Sequence, residues 1–155
     1  MAPAAGRRLE LTLGFPTSTM PRILFLCTHN SARSQMAEGL LRAWGGEGFD
    51  VHSAGVEATE VRPLAIRAMD ELGIDIRGQT SKRLDVYAGD EFDAAITVCD
   101  DAREACPFFP GAQTQLHWSF DDPSAASGTD DERLAVYRRV RDEIGARIRA
   151  ELLGG

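Results

Sequence analysis

Residues 22–26 (RILFL) are an unbroken apolar run that ends on Cys27 and passes through a short polar segment into an amphipathic helical pattern. A strand that is apolar at every position has no side to show to water, so it belongs inside a parallel sheet covered on both faces. From Ser34 onward, Met36, Leu40 and Trp44 recur every fourth residue with Ala37 and Leu41 beside them, and Gly45-Gly46 ends the run. A buried strand feeding a helix through a tight turn is the first half of a βαβ unit, which makes an α/β fold the expectation.

The same order recurs downstream. Residues 49–53 (FDVHS) alternate into Ala54-Gly55, and Pro63 then opens a second helix with Leu64, Ala65, Ala68, Met69 and Leu72 on one face, ending before Gly73. Residues 94–98 (AAITV) read as a third strand that again runs into a cysteine, Cys99, and Gln115–Trp118 as a short fourth. Thr129 and Glu132 have capping-box spacing for a last helix carrying Val136, Val140, Ile144, Ile148 and Leu152 as its core stripe. The predicted fold is a single-domain, four-stranded parallel sheet with helices on both faces. Ligands in such sheets sit at the carboxyl ends of the strands, where Cys27 and Cys99 both lie.

A chain of 155 residues with 43% apolar and 26% charged residues is large enough for one core, and no apolar run approaches the roughly 20 residues of a membrane span. Seventeen basic against 24 acidic side chains give a net charge of −7, which argues against nucleic acid or an anionic membrane as partner. Any anion must therefore be held by a local device. Residues 1–20 lack the apolar stretch of a secretory signal and are expected to be a disordered extension, leaving 21–155 as the domain. Three cysteines, an odd number, suit free thiols in the reducing cytoplasm, and a monomer is expected.

The segment Cys27-Thr28-His29-Asn30-Ser31-Ala32-Arg33-Ser34 leaves a strand and opens a helix. Its backbone N–H groups can converge at the positive helix end, which makes it a cradle for a tetrahedral oxyanion. Cys27 puts a sulfur under the anion, and Arg33 offers a bidentate guanidinium that lysine could not imitate. The same field favours a thiolate at Cys27. Asn30 tolerates the left-handed backbone that a tight loop needs, and Ser34 can donate to the sulfur.

CTHNSARSQMAEG (27–39), Val98-Cys99, Cys106-Pro107 and HWSFDDP (117–123) together resemble the thioredoxin-coupled arsenate reductases built on the low-molecular-weight tyrosine phosphatase fold, over about Arg22 to Leu153. The resemblance implies Cys27 as nucleophile, Arg33 as oxyanion clamp, Ser34 as thiolate partner and Asp122, before Pro123, as general acid. Asp121 reads as solvated or capping. No tightly bound cofactor is implied. The substrate would be arsenate, with phosphate or sulfate competing, and thioredoxin the reductant, ahead of mycothiol or glutaredoxin systems.

In the implied chemistry Cys27 attacks arsenic, Cys99 attacks Cys27 as arsenite leaves, and Cys106 attacks Cys99 to move the disulfide outward. Residues 99–106 look helical; such a span rises about 10.5 Å, whereas a disulfide needs Cα atoms within roughly 7 Å, so oxidation would have to unwind it. Some relatives hold a potassium ion through residues matching Asn30, Glu38 and Ser53 and an aspartate that here is Lys82, whose ammonium is expected to replace the ion. No other metal site has suitable spacing. His29 is expected to face solvent, and His52 and His117 to be structural. Ala32 stands where some relatives carry a further cysteine that the relay does not need.

Two rival readings follow from the same residues. A tyrosine phosphatase would use the same cradle, arginine and aspartate, but Pro123 is followed by Ser124 where those enzymes typically have tyrosine, and it has no use for Cys99 and Cys106. A non-catalytic oxyanion or redox sensor would oxidise stoichiometrically without turnover.

Overall fold

The computed structural model describes residues 20–100 and 106–154. Apart from Met20, the expected N-terminal extension lies outside the described residues, as does most of the expected helix between Cys99 and Cys106. Four strands, β1 (Arg22–Cys27), β2 (Asp50–Gly55), β3 (Phe92–Thr97) and β4 (Ala112–His117), form one sheet in the order β2-β1-β3-β4. All three pairings are parallel. The helices are α1 (Arg33–Gly45), α2 (Pro63–Asp70) and α3 (Asp130–Glu151).

β1 is central and buried from Ile23 to Cys27, as its uninterrupted apolar run requires. Alternation along it divides the core. Ile23, Phe25 and Cys27 join the cluster into which α1, α2 and α3 pack, while Leu24 and Leu26 join Ala54, Ala95, Tyr87, Phe92 and Phe109 on the opposite face. That second face is covered by the 3-10 turn Leu84–Tyr87 and by the loop carrying Phe109. Among the described residues no helix is long and apolar enough to cross a membrane.

The Thr129 capping box forms with both reciprocal bonds. The first turns of α3, however, bury Leu134 and Tyr137, and Val136 is only half-buried. Val140, Ile144, Ile148 and Leu152 are fully buried as expected; a strict i+4 series drifts about 40° round a helix at each step, which leaves its first member, Val136, at the edge of the buried face. The buried side alternates steps of three and four through Leu134, Tyr137, Arg141, Ile144 and Ile148.

Candidate active site

The register of the parallel ladder sets Cys27 beside Gly55 at the carboxyl end of the sheet. A side chain at Gly55 would meet the backbone of Asn30 and Thr28, each at 2.8 Å, so glycine is what lets β2 end against the loop 28–33. That loop is braced from outside by Glu57 N–H donating to Thr28 O and Arg62 N–H to Ser31 O, each at 2.9 Å. Asn30 adopts φ 50°, the left-handed conformation expected of it. No side chain caps α1 at Ala32, so the helix end is left to face the loop rather than a protein acceptor.

The buried side chains beneath the loop form a directed chain. Asn30 Nδ2 donates to Ser34 Oγ at 2.8 Å and to Ser53 Oγ at 3.0 Å, and Ser53 donates to Glu38 Oε1 at 2.5 Å. Ser34 Oγ lies 2.8 Å from Cys27 Sγ, placed to donate its hydroxyl proton once the sulfur is a thiolate. Asn30 Oδ1 in turn accepts from the Lys82 backbone N–H at 2.7 Å and from Gln35 Nε2 at 3.0 Å. Gln35 is itself held by Gln79, which donates to its Oε1 at 2.8 Å.

Glu38 takes its cation from Arg42, 2.7 Å away. Lys82 sits nearby with its ammonium donating to Thr80 O at 2.6 Å; burial lowers its pKa while Glu38 works in the other direction. Gln35 and Gln79 had no visible signal in the sequence, because they meet only through the fold, and the Arg42–Glu38 spacing reads there as an ordinary helix-surface pair.

Arg33 is buried, and its Nη1 donates to Phe120 O at 3.2 Å. Phe120 N–H donates to Cys99 O at 3.3 Å, which ties the loop after β4 to the end of β3. The two aspartates on that loop separate cleanly. Asp122 lies 3.7 Å from Arg33 Nη2 and is oriented by Ser124, whose N–H and hydroxyl donate to Oδ1 at 3.0 and 2.6 Å. Asp121 pairs with Arg139 at 3.0 Å on the surface.

Cys27 and Cys99 are buried members of one cluster, and half-buried Cys106 packs against it. Of the three thiols only Cys106 reaches towards the surface. His29 faces outward beside Glu57 at 3.7 Å. His52 is held between Asp50 at 2.8 Å and Tyr87 at 3.1 Å, and burial pushes Tyr87 up to about 12, so its phenol stays protonated. His117 contacts Thr97 and Cys106. Among the described residues no group of three His, Cys, Asp or Glu side chains could hold a metal ion.

Residues 22–153 match the low molecular weight phosphotyrosine protein phosphatase family. An arsenate reductase of Halalkalibacterium halodurans is 52% identical over 127 residues, which are 82% of this chain and 91% of that protein. The fold is similar to a solved arsenate reductase in the phosphate binding state, with TM-score 0.73 and 34% identity, covering 84% of this chain and 95% of the other. It is also similar to the thioredoxin-dependent arsenate reductase of Corynebacterium glutamicum, with TM-score 0.60 and 28% identity, over 97% of this chain and 71% of that one.

Proposed function

Because the chain belongs to the low molecular weight phosphotyrosine protein phosphatase family, and shares 52% of aligned residues with an arsenate reductase, we propose that it reduces arsenate to arsenite by a three-cysteine relay. The observation that supports the relay is the gathering of all three thiols at one cluster, with Cys27 and Cys99 buried within it and Cys106 half-buried against it. A phosphatase needs only the first of them.

Arsenate enters the loop 28–34 against the backbone N–H groups and the Arg33 guanidinium. Cys27 Sγ, as thiolate under the Ser34 hydroxyl, attacks arsenic, and Asp122 gives its proton to the departing oxygen as water. Cys99 then attacks Cys27 Sγ. The sulfur–arsenic bond breaks with its electron pair remaining on arsenic, which leaves as arsenite, and a Cys27–Cys99 disulfide forms. Cys106 displaces Cys27 from Cys99, so the disulfide reaches half-buried Cys106, where a thioredoxin-type reductant in a reducing cytoplasm removes it.

Lys82 supplies positive charge beside Asn30, Glu38 and Ser53, together with Arg42, so no potassium ion is needed there. The same cradle accepts phosphate and sulfate as competitors and supports weak phosphate ester hydrolysis.

The test is arsenate-dependent NADPH oxidation with thioredoxin and thioredoxin reductase, alongside aryl phosphate hydrolysis. Cys27→Ser is expected to lose both activities. Cys99→Ser and Cys106→Ser are expected to lose arsenate turnover while keeping ester hydrolysis. An unsubstituted protein that hydrolyses esters well but never turns over arsenate with any thiol reductant would make this a phosphatase.

A further inference from the structure

Cys106 Sγ lies 3.9 Å from His117 Nδ1, and Thr97 Oγ1 lies 2.6 Å from that same nitrogen. Thr97 and His117 are register partners across β3 and β4, so the imidazole is set on the rigid end of the sheet rather than on a loop. A thiol within hydrogen-bond reach of an imidazole nitrogen is the pair that activates sulfur nucleophiles generally, and Thr97, bonded to that same nitrogen, fixes the ring against the sheet. We propose that His117 is a catalytic base that takes the proton from Cys106 for the last exchange. This rests on the relay reading above.

The Thr97 hydroxyl has a second acceptor, the Leu116 carbonyl at 3.4 Å. While His117 Nδ1 is unprotonated, the hydroxyl donates to it and shares the lone pair with the Cys106 thiol. Once Nδ1 carries the proton, the hydroxyl turns to Leu116 and accepts from Nδ1–H instead. Both states of the imidazole are therefore satisfied without movement of the strands.

The step balances as a thiol–disulfide exchange. The Cys106 S–H proton passes to His117 Nδ1, and the Cys106 thiolate attacks Cys99 Sγ. A Cys99–Cys106 bond forms, the Cys27–Cys99 bond breaks, and the electron pair leaves on Cys27 Sγ, where the Ser34 hydroxyl receives it at 2.8 Å. His117 is exposed and passes its proton to water. An ordinary free thiol is only a few per cent ionised at neutral pH, so complete delivery of thiolate accelerates the exchange by at most about 30-fold.

Reduced protein mixed with arsenate and no external reductant, acid-quenched over time and mapped for disulfides by peptide mass spectrometry, follows this step directly. His117→Asn, which keeps a polar partner for Thr97, and His117→Ala should each slow conversion of Cys27–Cys99 to Cys99–Cys106 by roughly 10- to 30-fold. The Cys27–Cys99 form then accumulates. Added imidazole should restore conversion in His117→Ala and leave the unsubstituted protein unchanged. Iodoacetamide labelling of Cys106 in the resting protein, which does not involve the relay, should slow by a similar factor.

Unchanged conversion overturns the proposal, and so does slowed conversion with unchanged labelling and no imidazole rescue, which would make His117 a packing residue. If the unsubstituted protein forms no Cys99–Cys106 disulfide, the relay itself has failed and this step falls with it. His117-dependent labelling of Cys106 would then separate that result from a wrong assignment of the base.

Discussion

Ser34 Oγ lies 2.8 Å from Cys27 Sγ and accepts from Asn30 at 2.8 Å, so its own proton can be given to a Cys27 thiolate. The hydroxyl is thus in place before substrate arrives and costs no reorganisation when charge appears on sulfur. A hydrogen bond to a charged group contributes about 1.5–3 kcal/mol. Ser34→Ala should therefore slow the arsenate-dependent oxidation of Cys27 by about 10- to 100-fold in single-turnover measurements, and, by leaving a buried Asn30 N–H without its acceptor, lower stability by about 1–3 kcal/mol.

The two neighbouring carboxylates give a sharper contrast. Asp122 faces Arg33 at 3.7 Å, whereas Asp121 pairs with Arg139 at the surface. Asp122→Asn should lower the rate of the first chemical step by about 100-fold, the usual scale of a lost general acid. Asp121→Asn should change it less than about twofold, since an exposed ion pair is worth little. Comparable losses in the two variants would remove Asp122 from the proposed acid role.

Much of this site was legible in the sequence, for identifiable reasons. The strands β1 and β3 announce themselves because burial on both faces leaves continuous apolar runs, Ile23–Leu26 and Ala94–Ile96, and the left-handed turn at Asn30 follows from its side chain type. The roles of Gln35, Gln79 and Arg42 were invisible. Gln35 and Gln79 meet only because the segment after α2 returns beneath α1, and Arg42 acts on Glu38 one helical turn away, a pairing that reads as an ordinary surface bridge. The contact of His117 with Cys106 depends on the β3–β4 register and on the path of the chain before β4, neither of which periodicity fixes.

Gly55 offers a steric test of the cradle. A Cβ there would stand 2.8 Å from both Asn30 N and Thr28 O, and backbone cannot swing aside as a side chain end can. Gly55→Ala should cost about 1–3 kcal/mol of stability, the range for overpacking. It should also reduce arsenate turnover at least tenfold by shifting the loop, as read by thermal unfolding and the coupled assay together.

Lys82 and Arg42 bring two cations to the surroundings of Glu38, where the sequence resemblance raised the expectation of a potassium ion replaced by Lys82. Initial rates at fixed ionic strength should therefore differ by less than about twofold between potassium and sodium. Lys82→Asp should create a severalfold dependence on potassium. A several-fold potassium activation of the unsubstituted protein would mean that the ammonium does not fill this role.

Glu71 binds α2 to α3, and its effect should appear at acid pH. It accepts from Arg138 at 2.7 Å and from the buried Arg141 at 2.9 Å, and the hydrogen bonds from Arg138, ahead of those from Arg141, hold its pKa at about 2 instead of the ordinary 4.5. A carboxylate whose folded value is depressed contributes stability that is complete above the unfolded value and is lost as protons bind the folded state. The window is therefore from about pH 4.5 down to about pH 2. The Glu71 side chain is 36% exposed, so water screens the pair, and Glu71→Gln should cost about 1 kcal/mol at neutral pH. Denaturant titrations at neutral pH and across that acid window should show the difference between the two proteins shrinking towards zero as pH falls. A difference that stays constant with pH would mean that packing, rather than the carboxylate charge, joins the two helices at this position.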